Sequence, residues 1–217
     1  MINRIFLILT ITSGLIYSRE LSHGILSDRV MALSDYIASD EFKKNLESTD
    51  HILLIDSIFR QSMKVCDNDI SEALLTATLA TLPYKKMPVT FPIINQGAEG
   101  TIMEIPDSLF KKKVSNLPSQ IFFDSPGGFL GDKDKLAHFF GNAFLSYNVA
   151  LFNLSKFLSI LVELFEESFK VDGSVSTRDL LIGNLGELYG RELSEKGIRM
   201  PSGFMKFYEL FYIKFIY

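Results

Sequence analysis

Six of the seven prolines lie between residues 83 and 126. Because proline lacks an amide hydrogen and its ring clashes with the preceding turn of a helix, no long helix can run through this stretch. The segments on either side carry apolar residues at helical spacing. This distribution predicts two helical regions that are joined by a proline-rich connector.

The chain of 217 residues divides into four segments on this basis. Residues 1–18 form an apolar leader, residues 19–82 an N-terminal helical region, residues 83–130 the connector, and residues 131–217 a C-terminal helical bundle with an aromatic tail. Hydrophobic residues make up 47% of the chain, which is ordinary for a globular protein with a core. The expected fold class is mainly α: a helical bundle whose connector carries short β-strands.

The leader predicts export. Arg4 gives it a positive start, and an apolar stretch of about 13 residues follows, which is too short for a helix that spans a membrane. Such a stretch is typical of a signal peptide, and we expect cleavage after Ser18. The alternative is an uncleaved anchor. Either way, we expect the protein in the periplasm or cell envelope of a bacterium.

Charge and cysteine content exclude several classes of function. The net charge of −4 gives no global basic field, so we expect no nucleic-acid partner. The basic run at residues 111–113 predicts a solvated face. The single cysteine, Cys66, excludes an intramolecular disulfide and a cysteine-rich zinc site. We expect its thiol to be buried or half-buried.

Three helices are predicted before the connector. Apolar residues at steps of three and four predict the first over residues 25–47. Asp50 and Asp69 are good N-cap residues for the second and third. Glu72, three residues after Asp69, completes a capping-box pattern, and Pro83 stops the third helix.

The connector predicts two short strands and one short helix. Residues 89–94 and 101–105 have strand character, and a polar turn flanked by Gly97 and Gly100 would join them. The short helix is expected over residues 107–114.

The C-terminal region predicts three further helices. The first runs over residues 135–152 with Asp132 and Asp134 as caps, the second over residues 155–170, and the third over residues 178–196, where Gly197 ends it. The aromatic tail, residues 204–217, suits either core packing or a membrane interface, and we favour the core.

A polar cluster is the most informative feature of this region. His138 and Asn142 are four residues apart and share one face of an otherwise apolar helix, so we expect a half-buried imidazole with hydrogen-bond partners. Glu163 is the only acid of an apolar run on the next helix, and Glu166 shares its face. Asp179 lies in the first turn of the last helix, where the helix dipole favours an anion.

Glycines on the last helix point to close packing. Gly183, Gly186 and Gly190 place small residues on adjoining faces. Each glycine lowers helix stability by about 1 kcal/mol relative to alanine, so a packing reason is expected. Another helix should approach closely along this surface.

Three interpretations of the cluster stay open. His138, Glu163 and Asp179 suit a divalent metal such as zinc or manganese, since one imidazole and two carboxylates are suitable ligands. The same groups suit an acid–base relay. In the third interpretation the network is structural: a carboxylate orients His138, and Lys135 neutralises the excess negative charge.

Short motifs between residues 132 and 192 resemble a known family. Asp-Lys-x-x-His-Phe is followed by Glu-Leu-x-acid, by a Gly-Ser turn, and by an Asp-Leu pair that opens a glycine-bearing helix. This series resembles the YfiM-like family of predicted bacterial envelope lipoproteins and, more distantly, is similar to VanZ-like membrane proteins. The matching positions are Asp134, Lys135, His138, Phe139, Glu163, Leu164, Glu166, Gly173, Ser174, Asp179, Leu180 and Gly186.

The resemblance covers under a third of the chain and implies an envelope location and a shared polar site, but no reaction. Two features depart from it. The lipid-attachment cysteine is missing, and Gly183 stands where VanZ-like proteins carry Asn, with Asn184 beside it. Membrane attachment would therefore come from an uncut leader, the apolar C-terminal helices or the aromatic tail.

Two functional hypotheses follow. The first is a non-enzymatic envelope protein that is structural or binds at a membrane surface. The second is a hydrolase-like envelope enzyme, metal-dependent or not, that uses His138, Glu163 and Asp179 with Lys135 nearby. Whether the protein is an enzyme, and which divalent metal it takes if any, stays open at this point.

Overall fold

The computed structural model describes residues 25–91, 96–101, 105–149 and 177–208, with the backbone alone over 86–91 and 96–101. The leader, the predicted helix over 155–170 with Glu163 and Glu166, the turn at Gly173 and Ser174, and the tail beyond residue 208 lie outside the described residues.

The described part is mainly α-helical, as predicted. The elements in chain order are α1 (25–38), α2 (Asp40–Ser48), α3 (His51–Val65), α4 (Ile70–Thr81), β1 (Lys86–Phe91), β2 (Gln96–Thr101), α5 (Asp107–Asn116), α6 (Lys133–Asn148), α7 (Thr177–Lys196) and α8 (Pro201–Met205).

The helices α3 and α4 begin directly after the N-cap residues that the sequence predicts. The side chain of Asp50 accepts a hydrogen bond from the amide of Ile52 at 3.1 Å, and that of Asp69 accepts one from the amide of Glu72 at 2.9 Å. The predicted starts of α3 and α4 are therefore confirmed. The side chain of Glu72 forms an ion pair with Arg29, so it contributes a tertiary contact between α4 and α1.

The single helix predicted over residues 25–47 is wrong, because the chain breaks at Ser39. Ser39 has an extended backbone (φ −67°, ψ 153°), and its hydroxyl accepts a hydrogen bond from the amide of Phe42. Asp40 and Glu41 then occupy the first turn of α2, where acidic side chains favour a helix start. Local capping thus divides an amphipathic stretch into two helices.

The connector forms an antiparallel hairpin, but at other positions than predicted. β1 pairs with β2 from Lys86 opposite Thr101 to Phe91 opposite Gln96. Gly97 and Gly100, predicted to flank the turn, instead lie within β2. Pro88 lies within β1, which a two-stranded sheet tolerates because each strand has an unpaired edge. The short helix at Asp107 is confirmed as α5 and extends to Asn116.

Helices from both sides of the connector share one core. Phe59 of α3 lies between Phe140 of α6, with ring centroids 6.4 Å apart, and Tyr189 of α7, at 5.8 Å. Tyr189 also stacks on Phe139 at 5.3 Å. The connector contributes Leu117 to the same apolar cluster. The α6–α7 pair is thereby held against the N-terminal helices.

The first part of the predicted aromatic tail packs in this core. Met205 and Tyr208 are fully buried, while Phe207 is exposed. Asp56 of α3 holds α8 in place: one carboxylate oxygen accepts from the amide of Ser202, and the other from its hydroxyl, both at 2.8 Å. Core packing, the favoured alternative, is confirmed for Met205 and Tyr208.

Two expectations about single residues have opposite outcomes. Cys66 is fully buried, as expected, and burial raises the pKa of its thiol. The basic run was expected to be solvated, but Lys113 is fully buried. Its ammonium donates to the carbonyl oxygen of Leu82 at 3.0 Å and lies 4.9 Å from the centroid of the Phe110 ring.

Among the helices that the structure describes, none has both the length and the apolar character needed to cross a membrane.

Candidate functional site

The site lies where α6 and α7 begin, and glycines bring these helices together. A Cβ atom on Gly186 would clash with the carbonyl oxygen of Phe139, and one on Gly190 would clash with that of Ala143. The predicted close approach is therefore confirmed at these two positions, and Gly183 is buried on the same helix. Since contacts advance in the same direction along both helices, the two run parallel and their first turns adjoin.

Four side chains meet at these first turns and form what we call the open cluster: Asp134, Lys135, His138 and Asp179. The ammonium of Lys135 lies 2.6 Å from Oδ2 of Asp134 and 2.6 Å from Oδ1 of Asp179. Nε2 of His138 lies 3.9 Å from the same oxygen of Asp179. The structure thus brings together the sequence-predicted residues Lys135, His138 and Asp179.

Exposure differs among the members of the open cluster. The side chain of Lys135 is 10% exposed, that of Asp179 21%, that of Asp134 30% and that of His138 48%. His138 is therefore the member most open to solvent, and the expectation of a half-buried imidazole is wrong, because the structure exposes it. Solutes can reach the imidazole without any rearrangement of the helices.

Lys135 is the electrostatic centre of the open cluster. Burial acts to lower the pKa of its ammonium, but hydrogen bonds and charge from Asp134 and Asp179 outweigh burial and raise that pKa above its usual value. Both carboxylates lie in first turns, where the helix dipole also stabilises negative charge. Lys135 therefore neutralises one of the two negative charges, as the structural interpretation expected.

The open cluster also has the composition and spacing of a metal site. One ligand atom each from Asp134, His138 and Asp179 lie within 4.8 Å of one another. Ligand atoms of a tetrahedral zinc ion, at about 2.0–2.2 Å from the metal, lie about 3.3–3.6 Å apart, so the side chains would have to move together by about 1 Å to close the set. Asp134 is a candidate ligand that sequence reasoning did not include, and Glu163 lies outside the described residues. The i, i+4 spacing of Asp134 and His138 is the signal that could have identified this pair.

Asn142 and Ser146 do not extend the open cluster. The amide of Asn142 donates to the backbone carbonyl of His138 at 2.8 Å, on its own helix. The hydroxyl of Ser146 donates to the carbonyl of Glu187 at 2.8 Å and links α6 to α7. Both side chains therefore bind backbone carbonyls of the helices, although they lie on the helix face that the spacing predicted.

A second polar group, which we call the closed network, lies beside the open cluster and was missed by sequence reasoning. It consists of Asp124, Ser125, Asp132, Arg178 and Tyr208. The guanidinium of Arg178 donates to Oδ1 of Asp132 at 2.5 Å and to the carbonyl of Asp124 at 2.5 Å. Ser125 donates to the other oxygen of Asp132, and Tyr208 donates to Asp124 at 3.0 Å.

Asp132 explains where α6 begins. It was predicted to cap a helix starting at Lys135, but α6 starts at Lys133 and ends at Asn148 rather than at residue 152. The carboxylate of Asp132 is fully buried and is bonded to Arg178 and Ser125 instead of the helix amides. Burial raises its pKa, which Ser125 and Arg178 partly oppose.

α7 begins at Thr177, and Gly197 follows its last residue with φ +79°, as predicted.

The loop that precedes α6 presents an exposed apolar tip, Phe129 and Leu130. These side chains are 63% and 47% exposed. The base of the tip is fixed, because the amide of Asp132 donates to the carbonyl of Ser119 at 2.9 Å. The ammonium of Lys133 lies 3.8 Å from the centroid of the Phe129 ring, so a cation adjoins the apolar surface.

No protein-family model matches this chain, and neither a curated protein nor a solved structure matches it. The resemblance to the YfiM-like family therefore stays a prediction based on the motifs between residues 132 and 192.

Proposed function

We propose that this protein is an exported cell-envelope protein of bacteria that binds at a membrane surface and does not catalyse a reaction. The apolar tip is the observation that carries this proposal. The leader and the resemblance to envelope proteins support the location.

The apolar tip is suited to a lipid interface because it is exposed and anchored. Fully burying a Phe or Leu side chain contributes about 1.5–3 kcal/mol, so partial insertion of Phe129 and Leu130 would contribute about 2–4 kcal/mol. The backbone bond from Asp132 to Ser119 and the closed network hold the base of the loop, so insertion requires little ordering. The buried Lys133 holds the ring of Phe129 from the protein side, with its ammonium 3.8 Å from the ring centroid.

A contribution of this size gives weak and reversible attachment. Stable anchoring at a membrane takes two signals of this kind. The sequence after Tyr208 supplies a candidate second signal, because it is dominated by aromatic and apolar residues. We propose that the tip and the aromatic tail act together.

Vesicle flotation tests the proposal. The chain from Arg19 onward is mixed with vesicles of phosphatidylethanolamine and phosphatidylglycerol, with and without high salt. We expect the double variant Phe129→Gln, Leu130→Gln to lose at least three-quarters of the floated protein. The matched control is Leu188→Gln, which removes an exposed leucine of α7 and should float like the parent. Equal flotation of the double variant and the parent would refute the role of the tip.

The proposed location has a separate test. N-terminal sequencing of the protein recovered from the envelope fraction should give Arg19 as the first residue. Recovery of the chain in the cytosolic fraction would overturn the location, whatever the vesicle result.

A second candidate is a metal-dependent, hydrolase-like envelope enzyme. The observation that favours it is the meeting of Asp134, His138 and Asp179 at a place that solvent reaches. Metal analysis of the purified protein tests it. A bound metal is necessary for this candidate, and a cellular phenotype of a folded His138→Ala variant that still floats with vesicles like the parent would favour the enzyme over the binding protein.

A further inference from the structure

We infer that the open cluster is a binding site for a transition-metal dication of the zinc or manganese class, and that Lys135 is a built-in competitor for it. Asp134, His138 and Asp179 would be the ligands. This inference does not depend on the proposed membrane function.

The position of Lys135 shows that the open cluster already accommodates a cation. Its ammonium lies 2.6 Å from a carboxylate oxygen of Asp134 and 2.6 Å from one of Asp179. A dication that binds both oxygens would occupy nearly the same place. Because two cations cannot share it, the ammonium must withdraw when the metal enters.

The ligand chemistry selects the class of metal. One imidazole and two carboxylates suit zinc or manganese, whereas calcium and magnesium prefer oxygen ligands alone. His138 supplies the nitrogen, and its side chain is half-exposed, which gives the metal a path from solvent. We therefore expect zinc and manganese to bind more tightly than calcium or magnesium.

The scaffold keeps the ligands in place while Lys135 moves. Asp134 and His138 lie on α6 and Asp179 on α7, and the contacts of Gly186 and Gly190 fix the distance between these helices. Lys135 has a flexible four-carbon chain and can reach solvent next to the exposed imidazole. The movement needed is therefore confined to the side chain of Lys135 and to shifts of about 1 Å in the three ligand side chains.

Charge arithmetic predicts the effect of removing the competitor. With Lys135 charged, the two carboxylates and the ammonium sum to −1, and without Lys135 they sum to −2. The Lys135→Met variant should therefore bind zinc at least tenfold more tightly than the parent. The Lys135→Arg variant keeps the charge and should bind no more tightly than the parent.

The test is a calorimetric titration of the purified chain with zinc chloride and, separately, manganese chloride at pH 7. The parent should bind one ion, and Asp179→Asn, Asp134→Asn and His138→Ala should each weaken binding at least tenfold. The matched control is Lys64→Met, which removes an exposed lysine of α3 and should leave the affinity unchanged.

Two results would overturn the inference. In the first, Lys135→Met binds zinc no more tightly than the parent. In the second, the three ligand variants bind as the parent does. Circular dichroism melting accompanies every variant, and Lys135→Gln replaces the methionine variant if that one does not fold. Vesicle flotation of the same proteins separates a failure here from a failure of the membrane proposal.

Discussion

The closed network and the open cluster both place aspartates around one cation near the starts of α6 and α7, yet they differ in burial. Asp132 and Arg178 belong to the first, and their near neighbours Asp134 and Asp179 belong to the second. The carboxylate of Asp132 is fully buried, whereas His138 in the open cluster is half-exposed.

Burial determines what each group can do. A buried charge that loses its partner cannot recover its solvation, so the partners in the closed network are fixed. In the open cluster the side chains of Asp134 and Asp179 are 30% and 21% exposed, so the cation that pairs with them can be exchanged. The closed network therefore stabilises the junction of α6 and α7, while the open cluster is available for binding a ligand.

The largest expected effect comes from removing one cation from each group. Arg178→Met leaves the buried carboxylate of Asp132 without its guanidinium and should lower the free energy of unfolding by about 3–5 kcal/mol. Lys135→Met leaves two carboxylates that are 30% and 21% exposed, unlike that of Asp132, and should lower it less, by about 1–2 kcal/mol. Urea denaturation measures both values. Equal losses would contradict the distinction between the two groups.

The second effect concerns the helix contact on which both groups depend. Gly186→Ala places a methyl group against the carbonyl oxygen of Phe139, which is backbone and cannot move aside cheaply. We expect a loss of about 2–3 kcal/mol, since overpacking outweighs the helix propensity of alanine. The control is Gly203→Ala, where a Cβ meets nothing within 4 Å. If both variants melt alike, the close approach does not matter for stability.

Local signals in the sequence were sufficient for most of the helices. The capping residues Asp50 and Asp69 and the terminating Gly197 identify ends of α3, α4 and α7, because capping acts within a few residues. The break at Ser39 is local too, but it was overlooked because apolar spacing continues across it.

Pairings between distant positions could not be predicted in this way. Arg178 and Asp132 are 46 positions apart, and nothing in either local pattern identifies the other as its partner. The proposed metal ligands show the same limit: His138 and Asp179 were identified by their apolar settings, whereas Asp134 was first interpreted as a cap. Lys113 was predicted to lie on the surface, but it is buried. Its burial depends on packing against distant residues, which a basic run in the sequence does not reveal.

The third effect concerns Lys113, a buried cation whose acceptor is a backbone carbonyl and not a carboxylate as in the two polar groups. Burial lowers the pKa of Lys113 from 10.5 to about 7. Between these values the unfolded chain binds more protons than the folded one, so stability rises with pH. We expect the free energy of unfolding, measured by urea denaturation, to increase by about 1–2 kcal/mol from pH 7 to pH 9. Lys113→Met should remove this increase, whereas Lys112→Met should keep it.

The smallest expected effect on stability is that of the substitution His138→Ala. This variant is also the most informative test of the open cluster. Because its imidazole is half-exposed and lies 3.9 Å from Asp179, His138→Ala should change the free energy of unfolding by no more than about 0.5 kcal/mol. The same variant should lose zinc affinity at least tenfold in the titration described above. A small change in stability with a large change in metal binding would separate a ligand from a structural residue. A loss of several kcal/mol on urea denaturation would instead place His138 with the closed network, and the open cluster would then have to be interpreted as structural.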